Sequence, residues 1–234
     1  MIVAAIDESG THQGARALVV AVCAARPAQW LNLLDEWQPI APPDYHASEA
    51  LDRDNVALAT LMRKHLANRR TGVATGVIVS HRRFKVYTPK RFQSLYGGAY
   101  GFAVTWCALA VGEWSRRIGG GKVAYVIERG HKGEGHMDKV FKRIVANAEN
   151  QAFYKVASHE WVGKGDIRTH PADLLANTMN ARVEGRESPA ARILEGVAGF
   201  VEPTPDHFAA LVEQVDRAER HHKSEVARIK RSTR

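Results

Sequence analysis

The 234-residue chain holds only two cysteines, Cys23 and Cys107, both inside apolar runs. Two such residues build neither a zinc site nor a disulfide framework, so two buried, reduced thiols are expected. No apolar run approaches the length of a membrane span, and Asp7 interrupts the N-terminal stretch that comes nearest to a leader. The expectation is a cytoplasmic protein with no membrane partner. Internal repeats and low-complexity tracts are absent as well, and a hydrophobic content of 45% is that of a chain with a core. Acid is the scarcer charge: 33 Lys and Arg face 25 Asp and Glu, leaving +8 and a pI near 9.7. Such a surplus favours a polyanionic partner, nucleic acid first, through phosphate neutralisation.

What is present reads as alternating strands and helices. Residues 2–8 and 17–23 are apolar runs joined by a short turn, Ser9-Gly-Thr-His-Gln-Gly14, which predicts an antiparallel hairpin. Pro27 opens a helix carrying Trp30, Leu33, Leu34 and Trp37, and a second helical pattern runs from Val56 to Leu66. Further strands are predicted over 72–80, 122–128 and 153–157. Helices are predicted over 92–118, 137–150 and 171–180, with one more from residue 206 onward. The last nineteen residues carry seven Lys and Arg against three acids. The length suits one α/β domain over 1–200 and a basic C-terminal helical extension over 201–234.

Two of the apolar runs end alike. Ile2-Val-Ala-Ala-Ile-Asp7 and Val123-Ala-Tyr-Val-Ile-Glu128 each place an acid at the carboxyl end of a strand, where open α/β sheets put their chemistry. As parallel neighbours these strands would set Asp7 beside Glu128. Two close carboxylates repel unless a cation sits between them, and hard divalent ions take oxygen ligands. Asp173 is a third candidate, on one helical face with Asn177 and Asn180. Each acid also has an ordinary use: ending a strand, facing solvent, or complementing a helix dipole. Strand alternation turns Glu8 to the face opposite Asp7. His46 and Glu49 come as a pair beside a helix start, where they fit either a capping loop or the site; in the latter, His46 would orient a water or a phosphate.

Asp7-Glu-Ser-Gly10, His46-Ala-Ser-Glu49 and Pro171-Ala-Asp-Leu-Leu-Ala176 together resemble the bacterial and phage domain-of-unknown-function family 3800, over most of residues 1–185 and in the same order. The resemblance implies a ribonuclease H-like α/β fold, a mixed five-stranded sheet flanked by helices. The first three strands would be antiparallel, with the fourth parallel beside the first. It also implies a divalent-metal site, magnesium or manganese, held by Asp7, Glu128 and Asp173. The chain departs from the family's pattern at His170-Pro171, where Gln more often precedes the Ala-Asp, and at Glu128, where Asp is common.

Contacts to nucleic acid are expected from the segment 82–91, through Arg82, Arg83, Lys85, Lys90 and Arg91, with Phe84 and Tyr87 as stacking faces. Arg129 and Lys132, in a glycine-rich loop after Glu128, would add anion contacts, and Arg228, Lys230, Arg231 and Arg234 a nonspecific phosphate clamp. The leading expectation is a metal-dependent nuclease with Asp7, Glu128 and Asp173, joined by Glu49 and His46, as its catalytic set. The alternative is a noncatalytic nucleic-acid-binding or interaction module that keeps the fold; a third reading is a hydrolase of small phosphoesters.

Overall fold

An N-terminal run with no polar residue before Asp7 has the composition of a strand buried on both faces, and it takes a central place in the sheet. The structure, a computed structural model, describes residues 1–12, 14–131 and 133–232, and in the last helix the side chains as far as Arg217 together with Arg220. The chain runs β1 (Ile2–Ser9), β2 (Ala17–Ala25), α1 (Pro27–Trp37), α2 (Asp52–Leu66), β3 (Gly72–Ser80), α3 (His81–Tyr87), α4 (Lys90–Tyr96) and α5 (Ala99–Arg117). It continues with β4 (Val123–Glu128), α6 (Glu134–Ala146), α7 (Ala148–Tyr154), β5 (Val156–Val162), α8 (His170–Val183), α9 (Pro189–Leu194), β6 (Ala198–Val201) and α10 (Pro205–Ser232).

The strands form one mixed sheet in the order β5-β4-β1-β2-β3-β6. The hairpin pairs β1 with β2 antiparallel, β2 pairs β3 the same way, and β4 lies parallel beside β1. Strand alternation then sorts the core into two layers. Ile2, Ala4, Ile6, Val20 and Val22 face α5, α6 and the start of α10. Ala5, Val19, Ala21 and Cys23 face α1, α2, α8 and α9. Both cysteines are buried and unbridged, one in each layer.

Four expectations are corrected. The sheet has six strands, not five, because Ala198–Val201 adds to the edge beside β3. The helix expected over 92–118 is two, broken at Gly97 and Gly98, whose φ values of 69° and 94° end α4 in the left-handed region. The helix expected over 137–150 begins at Glu134 and stops at Ala146, where Asn147 caps α7 by accepting from the Asn150 amide. Phe153 and Tyr154, expected in a strand, close α7; Lys155, at φ 59°, turns the chain, and β5 begins at Val156. In the 201–234 segment, Phe208 of α10 is buried among Phe84 and Phe102. No single helix among the described residues is long and apolar enough to cross a membrane; α4 and α5 reach that length and composition only together, across a 58° bend.

Gly10 closes the turn after β1 at φ 78°, and a Cβ there would run into the Ala17 carbonyl oxygen. Gly10→Ala is expected to lower the unfolding free energy by about 1–3 kcal/mol, from backbone strain and overpacking. Urea denaturation measures this, and an unchanged midpoint would show that the turn relaxes freely.

Candidate active site

The parallel register of β1 and β4 ends with Ile6 opposite Ile127. The next residue on each strand is an acid, so Asp7 and Glu128 stand side by side at one edge of the sheet. α8 crosses the layer beneath, packing on β1 and β2, and its first turn brings Asp173 to the same place. Asp173 is buried and held: its Oδ2 accepts from the Ala47 amide at 2.9 Å, and His46 Nδ1 lies 3.3 Å from the same oxygen without good hydrogen-bond alignment.

The sequence Tyr45-His46-Ala47 is docked for that task. The Tyr45 hydroxyl donates to Asn55 Oδ1 at 2.7 Å, and Asn55 Nδ2 donates to the Ala47 carbonyl at 2.9 Å. The Tyr45 ring packs edge-on to Trp37 and against His170. On the other side the Thr169 hydroxyl, bonded to the Asp166 carbonyl, stands 3.4 Å from Glu128 Oε2. An ion pair of Arg168 with Asp166 and Glu160 braces this loop.

In front of this framework opens a cleft of about 530 Å³, and Asp173 itself is buried behind its wall and is not among the lining residues. Asp7, Glu128 and His46 line it, as do Asn177 and Asn180, the two residues expected on the Asp173 face of α8. Glu8 lines it too, which corrects the expectation that alternation removes it. Its side chain does leave on the opposite face from Asp7, but at the end of β1 the cleft reaches past the sheet edge and collects both carboxylates. Glu8 Oε2 is buried without a hydrogen-bond partner. Glu49 is exposed and is not among the lining residues. Lys164, between Gly163 and Gly165 in the loop after β5, projects into the cleft and was not anticipated. A lysine flanked by two glycines just past a strand end is the signal that could have found it.

Crowding sets the electrostatics. Burial pushes the Asp7 carboxyl well above the usual range, and Glu8, Asp173 and Glu128 push it further. Burial and the Glu128 charge raise Glu8 to about 7, with Lys164 opposing. Glu128 is raised by burial and by Asp173, against the pull of His46 and Lys164. The Asp173 carboxylate raises His46 above its ordinary value, whereas burial lowers His170. Four acids thus share one site that holds less positive than negative charge close by, and oxygen donors of this kind suit a hard divalent cation. Among the described residues no three His, Cys, Asp or Glu side chains stand together at metal-ligating spacing.

The basic residues fall in two places. Arg129 is at the cleft wall, its Nε 4.0 Å from Glu134. Arg82, Arg83 and Lys85 are exposed on α3, Lys90 and Arg91 on α4. Arg83 pairs with Glu202 at 2.6 Å, and Arg91 pairs with Asp216. Phe84 is withdrawn from any stacking role: it is 5% exposed and packs on Phe92, Phe102 and Phe208. Tyr87 stays 45% exposed. Lys132, Arg234 and the side chains of Arg228, Lys230 and Arg231 lie outside the described residues. No protein-family model and no curated protein matches the chain.

Because the folded chain holds the Glu8 proton up to about pH 7 while an unfolded one releases it near its ordinary 4.5, stability drains away as pH rises across that window. In chelator, Glu8→Gln is therefore expected to become progressively more stable than wild type between about pH 4.5 and pH 7, by roughly 1.4 kcal/mol for each pKa unit of the shift. Urea titrations at stepped pH read the difference. Parallel pH profiles for the two proteins would contradict the assignment.

Proposed function

We propose that the chain is a metal-dependent nuclease with a ribonuclease H-like fold. The observation that carries this reading is the gathering of four acids from two strands and a helix: Asp7, Glu8 and Glu128 line one cleft, and Asp173 is buried behind its wall, close enough for its charge to act on Asp7. The sheet supports it: β1 to β3 are antiparallel and β4 is parallel beside β1, the arrangement that the family resemblance implies, with β6 an addition at the edge.

Asp7, Glu128 and Asp173 would hold magnesium or manganese, which supplies an activated water and charge stabilisation at the leaving oxygen. The chain's own residues do the rest. Lys164 and Arg129 meet the non-bridging oxygens of the scissile phosphate from the cleft wall. His46, whose pKa the Asp173 carboxylate raises, stands at the rim where it orients a water or donates to a phosphate oxygen. Asn177 and Asn180 offer amide donors along α8. Asp173 is fixed in place by the Ala47 amide, so the loop of residues 45–47 and helix α8 position each other.

Asp7→Asn and Asp173→Asn are expected to reduce manganese-dependent cleavage of DNA or RNA by more than about a hundredfold while changing nucleic-acid affinity by less than about twofold. Calorimetry should show manganese binding to wild type and its loss in Asp173→Asn. Equal cleavage by wild type and Asp7→Asn from clean preparations sinks the reading; binding without turnover or metal uptake assigns the chain instead to a noncatalytic nucleic-acid-binding module.

A further inference from the structure

The acidic cleft does not end at the carboxylates. Thr11 and His131, which line it, also line a second cavity of about 270 Å³ walled by Leu18, Ala99 and the ring of Tyr100. His81 is in that wall too, its Nε2 3.5 Å from the Gly10 carbonyl of the cleft. His81 is the first residue of α3, and its neighbours Ser80 and Arg82 line a third hollow of about 290 Å³ with Val86 and Tyr87. Because Ser80 pairs with Ala17 at the end of β3, all three hollows follow one edge of the sheet.

Their chemistry changes along the way. The second cavity is below the range of roughly 300–1,000 Å³ that drug-sized ligands fill, its walls are largely apolar, and Tyr100 stacks on His131 at 3.6 Å between centroids. That is room for one unpaired base and not for a base pair. On α3, Phe84 turns to the core and leaves Arg82, Lys85, Val86 and Tyr87 outward. Glu202 occupies Arg83, but among the described residues no acid pairs with Arg82 or Lys85. An exposed tyrosine that shares a hollow with Arg82, on a short helix that also carries Lys85, is a place where an unstacked base and its flanking phosphates are held together.

We infer that the nucleic acid taken by this site is single-stranded, and that it runs from the carboxylates through the second cavity, which takes one base, onto α3, where Tyr87 stacks the next bases and Arg82 and Lys85 meet their phosphates. The inference rests on the nuclease reading and deepens it by naming the form of the substrate. Duplex is disfavoured because its bases have no free face for Tyr87 and none that enters the second cavity.

Fluorescence anisotropy of the full chain in chelator, with labelled single strands of DNA and of RNA and the matching duplexes, reads binding with no contribution from cleavage. Single strands should bind more tightly than duplexes. Tyr87→Ala and Arg82→Ala should each weaken single-strand binding by at least about fivefold. Arg70→Ala, which removes the same charge from an exposed position before the start of β3 at the opposite edge, should leave it unchanged. Duplex affinity equal to or above that of single strands overturns the inference, as does indifference to both substitutions. A chain that binds single strands in this pattern yet cleaves nothing with manganese keeps this inference and loses the nuclease reading.

Discussion

The site depends on one pairing: β1 against β4, parallel, in the register that leaves Ile6 opposite Ile127. A slip of one residue would turn Asp7 or Glu128 to the other face and separate them, because strand periodicity is two. That register is held by the apolar residues behind it. Ile2, Ala4 and Ile6 from β1, with Val123, Tyr125 and Ile127 from β4, sit in one layer under α5 and α6. The same residues that make the core therefore aim the acids, and neither strand carries a polar side chain before its acid except Tyr125, whose hydroxyl donates to the Ala108 carbonyl.

Holding four carboxylates at one end of a sheet works against folding. Asp7 is only 5% exposed, and its neighbours add repulsion to the loss of hydration. The structure answers this unevenly. Asp173 has an amide, an imidazole and a helix N-terminus beside it, whereas Glu8 keeps an unpartnered buried oxygen. A chain selected for stability alone would replace Glu8 with an apolar residue, since Ile6 two positions earlier is fully buried on the same face. Retaining an acid there is the kind of local cost that functional sites bear.

The sequence made the centre of the fold legible and the periphery less so. Strands β1, β3 and β4 are apolar runs with sharp ends, and their boundaries follow from that pattern, whereas the antiparallel β3 and the parallel β4 beside β1 are implied only by the family resemblance. The helical pattern over 92–118 does not show the break between α4 and α5, because it is the positive φ of Gly97 and Gly98 that bends the chain by 58° there. β5 was misplaced because its polar alternation, His159 and Glu160 among apolar residues, is that of an edge strand covered on one face, and the aromatic pair just before it looked more strand-like. β6 is four residues paired with one neighbour, too short for periodicity to show. At the site, Asp7, Glu128 and Asp173 could be named from strand ends and helix phase, but Glu8 could not, since alternation says nothing about where a sheet stops. Phe84 and Tyr87, three residues apart on one short helix, have opposite fates decided by where α4, α5 and α10 pack, through Phe92, Phe102 and Phe208.

The positive surplus takes on meaning from position rather than from its total. Three acids lining a cleft, with Asp173 buried behind them, repel a phosphodiester, and in a partly buried site that repulsion is poorly screened. Any polyanion that reaches Asp7 must be drawn in by cations close enough to offset it. Some of the basic residues are already spent: Arg83 on Glu202, Arg91 on Asp216, and Arg168 on Asp166 and Glu160. Lys164 and Arg129 line the cleft, and Arg82 lines the third hollow farther along the same edge, with Lys85 exposed on the same helix. On the proposed reading, an acidic site on a basic edge would hold a nucleic-acid backbone at its phosphates while leaving the carboxylates free for a divalent cation, and reversing either charge would defeat both tasks.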